Sequence, residues 1–271
     1  MKIKHYEIEK LIGKGSFGDV YKGVDTRNGN TIALKLDTSG LKVLKHEVSI
    51  LNYLYSENVS SIPKILWFGV IDNVSILTMT YYKTSLQDYF DVKGLIDEFK
   101  MSSIMIKCLD ILRQISIAQV MHRDIKPHNF MLVDGELNLI DFGLSTIYSY
   151  MHSDDDILCE KEDLVGTPRF TSFYSHYGEP TSPRDDLLSL GYMYIYLNTG
   201  SLPWDEIERK ETDLPLCNIS HPDNLIRRDM KSPTIFLPNL TGSLKNYMDY
   251  CYSLKCDDIP DYHNLMRIFT S

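Results

Sequence analysis

Eight residues, His122-Arg123-Asp124-Ile125-Lys126-Pro127-His128-Asn129, are followed twelve positions after Asn129 by Asp141-Phe142-Gly143. These types at this spacing suit transfer of the γ-phosphoryl of ATP. That reaction asks the protein for an aligned hydroxyl, shielded phosphate charge and held metal ions rather than for covalent chemistry. Asp124 can accept the proton of the incoming hydroxyl, and Lys126 can neutralise the γ-phosphoryl. Asn129 and Asp141 offer the hard oxygen ligands that suit Mg²⁺. Either tripeptide alone, HRD or DFG, is explained by chance; both together, in this order, are not.

A second cluster lies near the start. Gly13-Lys14-Gly15-Ser16-Phe17-Gly18-Asp19-Val20 sits between two strand-like segments, where glycines let backbone N–H groups approach phosphates without a Cβ clash. The same glycine pattern opens dinucleotide-binding folds, but there a helix follows directly. Here a strand bearing Ala33-Leu34-Lys35 follows, which favours the ATP arrangement. Gly13, Gly15, Ser16, Phe17 and Gly18 form the candidate phosphate loop, and Lys35 can bind the α- and β-phosphates. Glu47 can orient Lys35 through an ion pair; it is preferred over Glu57 because its segment, KHEVSIL, has apolar neighbours at inward-facing helical spacing. For adenine, Ile12, Val20 and Ala33 can form a roof and Met131 a floor. Thr80 to Tyr82 would give the backbone edge, with Met79 at the back. Each of these apolar side chains has an equally good role in a core.

The elements that must position these groups are legible from periodicity. Tyr6 to Ile12, Asp19 to Asp25 and Thr31 to Leu36 read as a strand meander. Leu44, Val48, Leu51 and Tyr55 give a helix over Leu41 to Tyr55, and Asp72-Asn73 turns between strands Lys64 to Ile71 and Val74 to Thr80. Ile104, Leu109, Leu112 and Ile115 predict a long helix from Lys100 to Met121. The run Leu187 to Leu197 is apolar all round but too short for a bilayer, which predicts a buried central helix. Strands first and helices later fit an α+β chain of two lobes with a cleft between them.

With 271 residues the chain can bury a substantial core as one large or two small domains. Its 28 Lys and Arg against 37 Asp and Glu give a net charge of −9, which argues against general affinity for nucleic acid or anionic membranes. Five cysteines, Cys108, Cys159, Cys217, Cys251 and Cys256, are odd in number and lack metal-ligand spacing, so a reducing intracellular compartment is expected. The N-terminal MKIKHYEIEK has no secretory pattern, no run is long enough to span a membrane, and a cytoplasmic or nuclear protein is the expectation.

With these motifs the chain resembles protein kinases, and Lys126 two residues after Asp124 resembles the serine/threonine type. Gly166-Thr167-Pro168-Arg169-Phe170-Thr171-Ser172, then Arg184-Asp185-Asp186-Leu187, Ser189-Leu190-Gly191-Tyr192 and Gly200-Ser201-Leu202-Pro203-Trp204 are similar to the casein kinase 1 family. Ile62-Pro63, Trp67, Asp257-Asp258 and Pro260-Asp261-Tyr262 extend that resemblance from Tyr6 to Phe269. It implies a single kinase domain over 1–271, with an N-lobe over about 1–79, a hinge over 80–83 and a C-lobe over 84–271. It also implies ATP, Mg²⁺, protein substrates bearing Ser or Thr, and activity without an activation-loop phosphate. Ser172-Phe173-Tyr174 would stand where most kinases carry Ala-Pro-Glu, and Asp186 would hold the catalytic loop by hydrogen bonds.

Two departures bear on substrate choice. The family resembles a reader of acidic or phosphorylated sequences, with two consecutive arginines before its Asp-Asp pair; this chain has Pro183-Arg184. Where the family offers lysine, this chain reads Arg227-Arg228-Asp229-Met230. Asp154, Asp155, Asp156, Glu160, Glu162 and Asp163 against Lys161 would repel an acidic peptide, unless this run is a solvated face. Reduced acid-directed selectivity is the resulting expectation. A scaffolding pseudokinase is the competing class, but Lys35, Glu47, Asp124, Asn129 and Asp141 are all present. A small-molecule kinase fits the downstream segment less well, and oligomeric state is open.

Overall fold

Six antiparallel strands make the first sheet, in the order β1-β2-β3-β4-β6-β5: β1 Lys2–Ile3, β2 Tyr6–Gly15, β3 Gly18–Asp25, β4 Thr31–Asp37, β5 Ile65–Ile71 and β6 Val74–Thr80. The computed structural model describes residues 2–15, 18–37, 43–148, 163–207 and 212–270. Helix α1, Val43–Ser56, follows β4. The chain continues through β7 Thr84–Ser85, α2 Leu86–Lys93, α3 Glu98–Ile117, β8 Val120–Met121, β9 Phe130–Val133, β10 Glu136–Leu139 and β11 Thr146–Ile147. Among the described residues six further α-helices follow: α4 Phe173–His176, α5 Pro183–Thr199, α6 Pro222–Met230, α7 Pro233–Phe236, α8 Gly242–Ser253 and α9 Tyr262–Ile268. The result is an α+β fold of two units, a β-rich unit of residues 1–85 and 130–145 and a helical unit of 86–129 and 146–271. Residues 130–145 belong to the β-rich unit because β9 pairs with both β10 and β7.

In the β-rich unit, alternation along the strands divides the side chains between two clusters. Tyr6, Ile32 and Leu34 pack with Ile8, Leu36 and Trp67 on one face. Ala33, Leu44, Leu77 and Met79 pack with Val48, Ile65, Phe68 and Tyr81 on the other. The second cluster includes Leu44 of α1, whose buried residues Leu44, Glu47, Leu51 and Leu54 recur at helical spacing on one stripe. One acid therefore lies on an otherwise apolar face. The β3–β4 turn is tied by Asp25, whose carboxylate accepts from the Arg27 backbone N–H at 3.0 Å and from its guanidinium at 2.8 Å.

In the helical unit, α5 is buried over Leu187 to Leu197, as its all-round apolarity predicts, and the burial extends back to Pro183 through Arg184, Asp185 and Asp186. Its start is fixed by Pro183 in the first turn and by the Asp185 carboxylate, which accepts from the Ser182 backbone N–H at 2.8 Å. The long helix expected over Lys100–Met121 is displaced toward the N-terminus. Asp97 caps it, accepting from the Lys100 N–H at 3.0 Å, so α3 begins at Glu98. It ends at Ile117 because Gln119 adopts a left-handed φ of 55° and the chain turns into β8, which pairs with β11. Among the described residues no helix is long and apolar enough to cross a membrane.

Candidate active site

The nucleotide-side candidates lie in the β-rich unit. Lys35 on β4 is opposite Val20 on β3, and Ala33 is opposite Met79 on β6, so the pairing register brings roof and amine to adjacent strands. Gly13 faces Val20 and Gly15 faces Gly18 across the β2–β3 hairpin, while Ser16 and Phe17 lie outside the described residues. Gly18 needs to be glycine: its φ is 128°, and a Cβ there would collide with the Leu36 carbonyl. Ile12 is exposed on β2, and Thr80 closes β6 with its N–H bonded to the Lys64 carbonyl at 3.0 Å. The Tyr82 hydroxyl donates to Asn138 Oδ1 at 3.3 Å. Met131, buried on β9, is opposite Asn138 and Ser85.

Lys35 Nζ donates to Glu47 Oε2 at 2.9 Å and to Asp141 Oδ1 at 2.6 Å. Glu47 is thus ion-paired with Lys35, whereas Glu57 lies beyond the end of α1. Burial alone pulls the Lys35 ammonium down, but the Glu47 and Asp141 carboxylates outweigh it and hold the amine above its ordinary value. Burial pushes the Glu47 carboxyl up, Lys35 opposes this, and Asp141 adds to it. The outcome is a charged amine shared by two acids. Asp141 reaches that amine from a left-handed backbone conformation, φ 67°, uncommon for a residue with a side chain.

The acceptor-side candidates lie in the helical unit. Lys126 Nζ donates to Asp124 Oδ2 at 2.6 Å, and the Asn129 amide nitrogen donates to the Asp124 carbonyl at 2.8 Å and to Oδ2 at 3.2 Å. This use of the amide nitrogen leaves the Asn129 oxygen as the donor atom for a cation. Asn129 in this unit and Asp141 in the β-rich unit each offer a hard oxygen of the kind that suits Mg²⁺.

One residue absent from the sequence-derived candidates joins this network. Thr167 donates through its hydroxyl to Asp124 Oδ1 at 2.7 Å and through its backbone N–H to the same oxygen at 3.1 Å, and its hydroxyl accepts from Lys126 Nζ at 3.0 Å. The available signal was a hydroxyl residue directly after Gly166. Gly166, at φ 96°, lies so close to Arg123 that a Cβ would strike the Arg123 carbonyl. Arg123 is itself left-handed, φ 66°, and Asp186 receives the backbone N–H groups of His122 and Arg123 at 2.8 Å each. Burial raises the Asp186 carboxyl while those donors and the nearby His122 and Arg123 charges oppose the shift. Asp186 therefore clasps the backbone immediately before Asp124.

Three arginines of the same unit, Arg184, Arg227 and Arg228, are engaged with groups of the protein itself. Arg184 is buried, donates to the Leu254 carbonyl at 3.2 Å and to Glu179 at 3.1 Å, and stacks over Tyr174. Arg227 donates to Asn224 Oδ1 at 3.0 Å, and Arg228 pairs with Asp229 at 3.0 Å while covering the Tyr177 ring. Asp163 bridges to Asn218. Asp154, Asp155, Asp156, Glu160, Lys161 and Glu162 lie outside the described residues, as does Cys159; Cys108, Cys217, Cys251 and Cys256 are free thiols. Residues 6–258 match the family model described as protein kinase domain.

Proposed function

The chain belongs to the protein kinase family, and from that premise we propose that it is a serine/threonine kinase of casein kinase 1 type, transferring the γ-phosphoryl of ATP to protein hydroxyls. The observation that carries this reading is the Asp124–Lys126–Thr167 network. It holds a carboxylate and an amine together, a pairing suited to aligning an aliphatic hydroxyl and shielding the phosphoryl it attacks. In this reading Asp124 accepts the hydroxyl proton and Lys126 neutralises the transferred group. Thr167 keeps Asp124 Oδ1 in one orientation, so Oδ2 is the oxygen turned to Lys126 and the acceptor.

Lys35, oriented by Glu47, binds the α- and β-phosphates beneath the glycine loop of Gly13, Gly15 and Gly18, to which Ser16 and Phe17 also contribute. Ile12, Val20, Ala33, Met79 and Met131 enclose the adenine, with Thr80 to Tyr82 at its edge. Asn129 and Asp141 are the residues that would each supply an oxygen to Mg²⁺, which when bound would shield the phosphate charge. The residue types argue against a scaffolding role, since each group the chemistry needs is present.

Selectivity is proposed to depart from the acid-directed pattern. Pro183 removes one cation, and Arg184, Arg227 and Arg228 are bonded to groups of the protein itself. Activity without prior phosphorylation belongs to the same reading.

The test is transfer of labelled γ-phosphate by the purified chain with Mg·ATP, offering casein and a basic protein side by side, with Asp124→Asn as control. Label on serine or threonine that disappears in the control supports the reading. Nucleotide binding without transfer to any acceptor, or label on tyrosine, defeats it.

A further inference from the structure

Lys231, the residue closing α6, is completely buried. A lysine amine with no access to water needs a reason, because desolvation of the charge is costly and the flexible side chain must be held in one rotamer. Its Nζ donates to the Thr171 carbonyl at 2.7 Å and to the Pro168 carbonyl at 3.0 Å, and lies 3.1 Å from His176 Nε2. The faces of Trp204 and Tyr192 enclose it, with ring centroids at 4.6 and 5.1 Å. The Tyr252 hydroxyl holds the backbone, donating to the Lys231 carbonyl at 2.7 Å.

The acceptors of this amine are the two ends of one short loop. The Thr167 carbonyl accepts from the Phe170 and Thr171 N–H groups and from the Thr171 hydroxyl, and the Arg169 carbonyl accepts from Trp204 Nε1 at 2.7 Å. Lys231 takes the carbonyls of Pro168 and Thr171. The loop that presents Thr167 to Asp124 and Lys126 is thus closed on its inner side by Lys231 and Trp204.

Burial disfavours charge on this amine and on the His176 ring beside it, pulling both well below their ordinary values.

We propose that Lys231 is a positioning residue for acceptor phosphorylation, fixing the Pro168 and Thr171 carbonyls so that Thr167 holds Asp124 in its working orientation. The proposal deepens the kinase reading and rests on it. Lys231 acts at a distance, touching neither nucleotide nor acceptor.

The experiment is a double-mutant cycle on the full chain. Wild type, Lys231→Met, Thr167→Ala and the double variant are compared for steady-state casein phosphorylation and for nucleotide affinity by a fluorescent ATP analogue. Lys231→Gln, which retains an N–H donor of lower reach, provides the second variant if Lys231→Met does not fold. The expected result is a loss of about 10²-fold in kcat/KM for casein in each single variant, as displacement of an aligned group produces. Nucleotide affinity should be unchanged, and the double variant should be no worse than the poorer single one. Wild-type kcat/KM in both Lys231 variants overturns the proposal alone. Losses that multiply in the double variant, or that fall equally on nucleotide affinity, also overturn it, since they mark a general structural role. A wild-type chain that phosphorylates no acceptor defeats the kinase reading itself, and the proposal with it.

Discussion

The Thr167 hydroxyl donates to Asp124 Oδ1 at 2.7 Å while Lys126 Nζ donates to Asp124 Oδ2 at 2.6 Å, so each oxygen of this carboxylate has its own partner. Rotation of the carboxylate would break both. Thr167→Ala should therefore lower kcat by about 10- to 100-fold, in the range of a positioning defect, and Thr167→Ser should restore most of it. Steady-state kinetics with unchanged KM for ATP would bear this out; an alanine variant of wild-type kcat would refute it.

Lys35 has two carboxylate partners, and the variants of those partners should differ. Lys35→Met removes the amine itself and should reduce transfer by about 10²-fold or more, the scale seen when a charge-stabilising donor is lost. Glu47→Gln should cost less, because Asp141 still holds the amine at 2.6 Å. Single-turnover assays with saturating ATP separate the two. Equal losses would mean that Glu47 does more than orient Lys35.

Asp186 receives two backbone N–H groups, and asparagine can accept only one of them with its oxygen. Asp186→Asn should leave one buried donor without its acceptor, at a cost of about 1–3 kcal/mol. For a chain of this size that corresponds to a fall of several degrees in Tm, about 2–4 °C per kcal/mol. Activity should fall as well, since the clasp holds the backbone immediately before Asp124. Calorimetry and a transfer assay on the same sample are the check, and an unchanged Tm would show that the clasp contributes little.

Asp25 predicts how the chain responds to acid. The Arg27 guanidinium and N–H beside it, against the opposing effect of burial, hold its carboxyl at about 2. A carboxylate depressed in the folded state stabilises it above the ordinary carboxylate range, and that contribution is lost as pH falls through the ordinary value toward about 2. Arg27→Met should raise the folded-state value and move acid unfolding to higher pH. Circular dichroism across an acid titration reads the shift. Coincident titrations for the two proteins would show that this pair has no part in acid stability.

Local pattern made some parts of this molecule legible and contact across long separations hid others. The strand Val74–Thr80 has the bounds expected of it after the Asp72-Asn73 turn, and Glu47 stands out as an acid on an apolar helical stripe. Both signals are contained within one element. Thr167 meets Asp124 across a separation of 43 residues, and Lys231 meets Pro168 across 63; no periodicity records either contact. Lys231 also follows Arg227, Arg228 and Asp229, so in sequence it looks like one more surface charge. The end of α3 was hidden for another reason: residues 118–121 continue an apolar pattern, and only the left-handed Gln119 breaks the helix.

The register of β3 against β4, with Val20 opposite Lys35, makes the five-residue connection from Thr26 to Asn30 a ruler. Because side chains alternate along a strand, sliding β4 by one position would turn Lys35 to the opposite face and bring Leu34 or Leu36 into its place. The Asp25–Arg27 tie at the far end of the hairpin thus sets the phase of the strand as well as its stability. Lengthening the loop beyond that tie should be tolerated, whereas a single-residue insertion between Thr31 and Lys35 should abolish chemistry even in a chain that still folds.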